Sequence, residues 1–442
     1  MTGMINNVSL EQAAEIAIQQ ATSQGASAAE VGVSHSNGLS VTVRQGDVET
    51  LEHNNDTGLA VTVYFGQSKA SASTSDLRSE AIADTVKAAC GIAKHTQSDA
   101  CTGLADSELM ATEFSDLSLY HPWDIDPEQA INIATECEQA GFDVDNQISN
   151  SEGSSLSSHQ GGRVYANSHG FVGSTTSTRH SLSSTFIAND DRGMQRDYWY
   201  DIARDATDLE SAKHIGQRAA QNTLRRLNAR TMTTGTYPVI FASEIAPSLF
   251  GQFIGAIRGG ALYRKSSFLL EHLDKKIFPE FMHIYEQPHL LKGIGSAMFD
   301  GEGVATHARD IVCNGVLQGY VLDSYSARKL DMATTANSGG VHNLTIDSGD
   351  LDFSALLKQM GTGVLVTETM GMGVNIVTGD YSQGAAGFWV ENGEIQYPID
   401  EFTIASNLAD MFMGIQAVAS DVELRGNTRT GSVWINKMTV AA

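Results

Sequence analysis

Apolar positions at helical spacing and at alternate residues divide the first half of the chain into two similar runs. Leu10, Ala13, Ala14, Ile16 and Ala17 fall on one side of a helix, with Ser9 and Gln12 as a capping box at its start. This predicts a helix over residues 9 to about 24, ended by Gly25. From Val31 to Ser73, short runs of Val, Leu, Thr and Tyr alternate with polar residues. Asn37-Gly38, Gly46-Asp47, Asp56-Thr57-Gly58 and Gly66 punctuate them, which reads as an antiparallel meander with a turn at each site. Leu77, Ile82, Val86, Ala89 and Ile92 then mark a helix from Asp76 to about Lys94.

The same order recurs. Asp126 as cap with Pro127 at the first helical position opens a helix to about Ala140, and strands are expected from Ile148 to Ala203. A closing helix is expected to begin Thr207-Asp208-Leu209-Glu210, an echo of Ser75-Asp76-Leu77 in the first run, so an internal duplication is read. Between Ser149 and Thr185, sixteen of thirty-seven residues are Ser or Thr, a linker-like composition. Strands are favoured instead, because Val164, Tyr165, Phe171, Val172, Leu182, Phe186 and Ile187 recur often enough to bury one face of a sheet.

Thr231 to Thr236 is a small polar stretch taken as a boundary. Beyond it come a strand, Tyr237 to Ala242, a helical stretch, Leu249 to Ile257, and from Gly293 onward many short strands with turns such as Asn314-Gly315 and Asn392-Gly393. The expected class is α+β, with an N-terminal domain of duplicated helix and antiparallel-strand units (1–230) and a strand-rich C-terminal domain (231–442).

Charge narrows the partners. With 28 Lys and Arg against 52 Asp and Glu, the net charge of -24 opposes a phosphate backbone, so no nucleic-acid partner is expected. The densest basic cluster, Arg225, Arg226 and Arg230, reads as cations complementing a helix C-terminus. The first basic residue is Arg44, which argues against a secretory signal, and the longest apolar run, Ile245 to Ile257, contains Pro247, Ser248 and Gln252. No membrane partner and a cytoplasmic location are expected. Cys90, Cys101, Cys137 and Cys313 are too far apart in sequence for a Cys-x-x-Cys pair and read as reduced thiols.

Several common sites are absent by inspection. There is no Gly-x-Ser-x-Gly elbow and no Gly-x-x-x-x-Gly-Lys loop. Gly293/Gly295, Gly361/Gly363 and Gly371/Gly373 lack the third glycine of a dinucleotide fingerprint and read as turn or close-packing residues. Of thirteen histidines, the nearest pair, His283 and His289, is six apart, so no helical turn offers two imidazoles to one metal ion. Asp190-Asp191 and Asp350/Asp352 sit in turn-like contexts.

Longer segments carry more information. Leu290-Leu291-Lys292-Gly293, Ser324-Tyr325-Ser326-Ala327-Arg328-Lys329-Leu330, and the run from Thr378-Gly379-Asp380-Tyr381-Ser382 through Gly387-Phe388-Trp389-Val390-Glu391-Asn392-Gly393 resemble the TldD/PmbA family, in its PmbA (TldE) branch. Tyr237-Pro238-Val239-Ile240-Phe241, Tyr263-Arg264-Lys265-Ser266 and Asn167-Ser168-His169-Gly170 extend the likeness over essentially the whole chain.

The resemblance implies a subunit of a cytoplasmic zinc metallopeptidase that works as a TldD and PmbA heterodimer on unfolded or leader peptides, as in peptide maturation and antitoxin turnover. In the TldD branch a His-Glu-x-x-x-His helix and a C-terminal cysteine hold the zinc, and the glutamate acts as base towards the metal-bound water. Here the matching stretch reads Ser243-Glu244-Ile245-Ala246-Pro247-Ser248, and Thr430 is placed at the cysteine position. Hydroxyls are poor zinc ligands, so no cofactor is expected in this chain and zinc is expected in a TldD-type catalytic partner. Glu244 reads as a first-turn carboxylate favourable to the helix dipole, and Pro247 as a sign that the helix starts late. Gly379, Asp380, Tyr381, Ser382, Gly387 and Phe388 are candidates for peptide contact or assembly. A homodimer of the isolated chain stays open. So do two other readings: a stand-alone hydrolase with an unrecognised site, and a peptide-binding regulatory module, which includes the family's older description as a gyrase modulator.

Overall fold

The computed structural model describes residues 7–441. Six strands, β1 (Ala28–Arg44), β2 (Asp47–Phe65), β3 (Ser68–Thr74), β4 (Ile148–Asn167), β5 (Val172–Asp190) and β6 (Gly193–Ala203), form one antiparallel sheet in the order β3-β2-β1-β4-β5-β6. Helices α1 (Asn7–Ser23) and α2 (Ser79–Ala93) flank the first three strands in sequence, and α3 (Pro127–Phe142) and α4 (Ala212–Leu224) flank the second three. The order helix, three strands, helix therefore occurs twice, joined by antiparallel pairing of β1 with β4.

The alternation along β1 explains its length of 17 residues, about 56 Å at the usual rise. Val31 and Val33 pack under α1 and α2, while Leu39, Val41 and Val43 on the same face pack with residues of α3 and α4. One strand thus serves two cores. This is also why two expected turns are not there. Pairing of β1 with β2 runs unbroken through Asn37↔Asn55 and Gly38↔Asn54, and β4 holds the other edge from Glu30 to Val43. Gly38 is a packing residue: a Cβ there would sit 1.9 Å from Nδ1 of the His159 ring. The signals at Gly46 and Gly66, both with positive φ, do mark the hairpin turns.

Two helix starts also differ from expectation. The Asp76 carboxylate accepts from Arg78 N at 2.9 Å, so a side-chain-bonded turn precedes α2, which begins at Ser79. The Thr207–Leu209 segment likewise lies in or beside a short 3-10 turn (Ala206–Asp208), and α4 begins at Ala212 with Ser211 as its cap. The echoing tripeptides are pre-helix turns. At α3 the expected signals operate, with Asp126 and Gln129 forming a capping box and Pro127 in the first turn. The Ser9–Gln12 box includes the Ser9 side chain, which lies outside those described. The Ser/Thr-rich stretch forms β4 and much of β5, with hydroxyl pairs such as Thr42–Ser155 at 2.8 Å across strands.

In the second half, β7 (Gly235–Phe241) lies between strands Gly363–Met370 and Val433–Ala441. Strands Glu394–Asn407 and Asp380–Glu391 follow, and the last pairs back with Gly363–Met370, closing the sheet. Both faces of β7 are covered, Val239 and Phe241 by one cluster and Ile240 by another, which is why the strand reads as a continuous apolar run. α5 (Ala246–Ile257) follows β7 directly and contributes Phe250 and Phe253 to the larger cluster. A second sheet of five short strands includes Ile284–Glu286 and Arg309–Cys313.

The helix Ser324–Lys329, the segment that carried much of the family likeness, fastens the second half to the linker between α2 and α3. Tyr325 Oη donates to Asp99 at 2.8 Å and Lys329 Nζ donates to the same carboxylate at 2.9 Å. Arg328 donates to the carbonyls of Cys101, Gly103 and Leu104.

The small sheet carries a pH-dependent contact. Nδ1 and Nε2 of His283 lie 2.8 Å from Asp347 and 2.8 Å from Asp310. Partial burial pulls the imidazole pKa down, but the hydrogen bonds and charges of the two carboxylates outweigh it and raise the value above 6.5. A raised folded-state pKa gives a contribution present below the unfolded value, near 6.5, and lost as pH rises through the folded value. In Asp347→Asn the His283 titration, followed by NMR, is expected to move down towards 6.5, and its share of the stability loss on the alkaline side should shrink.

Candidate functional site

The turn between β7 and α5 holds Ser243, Glu244 and Ser248, the stretch that the family resemblance sets against the peptidase motif. Ile245 N and Ala246 N both donate to Ala242 O, at 2.9 and 2.8 Å, and Pro247 occupies the first helical turn. Ser243 precedes the helix, its N–H donating to Ser432 Oγ at 3.0 Å, while Ser432 in turn donates to Asp421 at 2.7 Å. Ser248 Oγ donates back to Ile245 O at 2.7 Å. Thr430 is fully buried, with its hydroxyl on Gly431 O at 3.1 Å. The hydroxyls of Ser248 and Thr430 bond to local backbone, and Ser243 enters the network through its N–H. This donor set does not fit a zinc ion: it offers no imidazole or thiolate. Among the described residues, no three His, Cys, Asp or Glu side chains converge as a metal centre requires.

Glu244 departs from expectation. α5 has Ile245 as its N-cap and no acidic residue in its first turn, so Glu244 lies one position before the cap, exposed to a cleft between the two halves. Two adjoining cavities of about 330 and 620 Å³ share Glu244, Trp199, Thr367, Arg225 and Arg425 as lining. The first half supplies β6 and α4, and the second supplies the β7–α5 turn, strand Gly363–Met370 and the segment 421–425.

Much of the charge in this wall is locked. Arg425 forms an ion pair with Glu423, donates to Tyr200 O at 2.7 Å, and lies 3.9 Å from the centre of the Trp199 ring. Burial raises the Glu423 pKa, but hydrogen bonds from Arg425 outweigh that and hold it below the ordinary carboxylate range. Arg226 bridges the halves, 2.6 Å from Glu368 and 3.4 Å from Asp197. Of the basic cluster read as a helix-end feature, Arg226 is thus an interdomain tie, Arg230 lies 4.7 Å over the Tyr397 ring, and Arg225 faces the cleft.

The six glycine-rich-run candidates do not converge at one place. Tyr381 is buried, edge-on to Phe241 with ring centres 6.5 Å apart, and Gly379 is a buried turn residue with positive φ. Asp380 and Ser382 are exposed on the same strand, Asp380 accepting from Thr378 Oγ1 at 2.6 Å. Gly387 and Phe388 are buried themselves but wall a separate cavity of about 360 Å³ beside Met194 and Arg226. A Cβ at Gly387 would lie 1.9 Å from Leu365 O, so close strand packing accounts for that glycine. The Gly-x-Gly pairs have similar local reasons. Gly361 and Gly371 have positive φ, and Gly363 and Gly373 meet the carbonyls of Pro238 and Ser382. All four cysteines are free, and no helix among the described residues is long and apolar enough to cross a membrane.

Arg218, Arg425 and Trp199 are cleft residues that sequence reasoning missed. For α4 a signal was available: Arg218, Asn222 and Arg225 stand at i, i+4 and i+7 and so share one helix face. Nothing in the sequence placed β6 or the 421–425 segment opposite that face.

This architecture, a two-half α+β subunit with an interdomain cleft at a peptidase-type turn, recurs in known proteins. Profiles for the PmbA/TldA metallopeptidase domains match along the chain: domain 1 at residues 29–93, the central domain at 120–227 and the C-terminal domain at 234–442. Metalloprotease PmbA of Escherichia coli O157:H7 is 50% identical over 432 residues, covering 98% of this chain and 96% of that one. A Bacteroides thetaiotaomicron protein proposed to modulate DNA gyrase superposes with a TM-score of 0.93 at 29% identity, covering 98% of both chains. TldE of Thermococcus kodakarensis shares the fold, with a TM-score of 0.84 at 19% identity over 97% of this chain and 100% of that one. The chain belongs to the PmbA/TldD metallopeptidase family, in its PmbA branch.

Proposed function

We propose that this chain is the non-catalytic partner in a TldD-type zinc peptidase, which completes the peptide chamber and stabilises the active subunit. The observation that carries the reading is the hydroxyl set at the ligand positions: Ser243, Ser248 and Thr430 replace imidazole and thiolate while the surrounding fold is retained. A carboxylate at Glu244 has no metal-activated water to act on without those ligands. The expected substrates are unfolded or leader peptides in the cytoplasm, since an extended chain can satisfy its backbone by adding to a strand edge.

Apolar side chains around the glycine-rich run support an assembly role. Met372 is 99% exposed, and Val377 in the same run is exposed as well. An obligate subunit contact typically buries more than about 2,000 Å². Mixed with a TldD-type chain, this protein is expected to co-elute as one species in size exclusion. Separate elution of the two chains at micromolar concentration would remove the reading.

A further inference from the structure

The cleft contains two arginines with unengaged hydrogen-bonding edges. Of the neighbouring carboxylates, Glu368 has Arg226, Glu423 has Arg425 and Asp421 accepts from Ser432, while Glu244 faces Arg225 across the cavity without a hydrogen bond or ion pair among the described residues. The guanidinium groups of Arg218 and Arg225 form no ion pair and donate no hydrogen bond among the described residues, and Arg218 Nε is buried without a partner. Each guanidinium is held over an aromatic ring, Arg218 at 4.9 Å from the Trp199 centre and Arg225 at 5.1 Å from the Phe388 centre. A guanidinium resting on a ring face can keep its N–H edge free, the edge that pairs with carboxylates in a two-pronged fork.

Arg225 keeps contact with solvent but lies in a concave wall of protein. Desolvation therefore lowers its pKa, with Asp197 and Glu244 acting in the opposite sense. A cation so placed is stabilised by an arriving anion. The same wall also holds carboxylates, which oppose a dianion more strongly than a singly charged group. A carboxylate therefore fits better than a phosphate.

We propose that this cleft is a carboxylate-binding site, in which Arg218 and Arg225 hold a free carboxylate of an extended peptide beside the Trp199 ring. The carboxylate comes either from the peptide C-terminus or from an acidic side chain. The proposal concerns binding by this chain alone and does not depend on the partner-subunit reading.

The test is calorimetric titration of the full chain with three tripeptides: acetyl-Ala-Ala-Phe as free acid, the same peptide as C-terminal amide, and acetyl-Ala-Glu-Phe amide. At least one acidic peptide is expected to bind about tenfold or more tightly than the neutral amide, the scale of one charge-assisted hydrogen bond. Preference for the free acid identifies the terminal carboxylate, and preference for the glutamyl amide identifies the side chain. Arg218→Gln and Arg225→Gln should each reduce the preference, with thermal melting to confirm folding. Glu244→Gln removes an opposing charge and should strengthen acid binding, a change of sign that misfolding would not give. Equal binding of all three peptides, binding of none at millimolar concentration, or a preference that survives in the folded double variant would overturn the proposal.

Discussion

Incubated alone with a short unstructured peptide, this chain is expected to leave it intact, while an equimolar mixture with a TldD-type chain cleaves it and a chelator stops the reaction. The expectation follows from the donor atoms. Ser248 and Thr430 direct their hydroxyls to the backbone carbonyls of Ile245 and Gly431, and Ser243 meets Ser432 through its N–H. A peptidase of this class needs a metal with one open position to generate a nucleophile near neutral pH. Glu244 is a carboxylate facing arginines, and the hydroxyl-carboxylate contact in its wall, Ser432 to Asp421 at 2.7 Å, belongs to a fully buried serine that also accepts from Ser243 N–H, a structural tie rather than an exposed nucleophile. The partner effect should therefore be close to all-or-none. Robust cleavage by this chain alone that survives the chelator would instead point to the stand-alone hydrolase.

Arg328→Ala is expected to destabilise the protein by about 2–4 kcal/mol, because it leaves several partly buried carbonyls without their donor. Those carbonyls, of Cys101, Gly103 and Leu104, belong to the linker that leads from the first helix-and-strand unit to the second. The side chain reaches them from a helix of the other half, so the loss should appear as a lower denaturant midpoint together with faster proteolysis near residues 99–106. Arg328→Lys keeps the charge but not the geometry for three carbonyls, and should recover only part of the stability. An unchanged midpoint in both variants would mean that the helix does not act as a clasp.

Local signals in the sequence were strong where a single element decides its own structure. Asp126, Pro127 and Gln129 define the start of α3 because cap, first-turn proline and reciprocal bond lie within four residues. The alternating runs of residues 31–73 and 148–203 do form strands, while of the polar stretch Thr231 to Thr236 only the first four residues are irregular and Gly235 and Thr236 already belong to β7. The signals misled where a neighbour in space overrides them. Asn37-Gly38 looks like a turn, but β2 and β4 hold it extended and the His159 ring takes the space of the missing side chain.

The site was legible in part. The turn Ser243–Ser248, singled out through a family resemblance, lines the cleft. The cleft was not legible, since its walls lie at residues 193–225 and 421–425 and meet only when α4 and β6 face the later segment. Arg225 illustrates the limit. Sequence position assigns it to a helix terminus, which it does occupy as the C-cap of α4, yet its guanidinium lies over Phe388 from the other half. The glycine-rich run shows the reverse. Its conspicuous pattern mostly reflects strand packing at Gly373 and Gly387, and the buried Tyr381 belongs to the core.

Any catalytic metal is expected to come from the partner and none to be held here. Elemental analysis after exhaustive dialysis, applied to this chain, to a TldD-type chain and to their one-to-one complex, decides the matter. The expected result is well below one zinc per chain for this protein, close to one for the partner, and one per complex. A full equivalent bound by this chain alone and lost on substituting one of its histidines, or two per complex, would rule out the non-catalytic role.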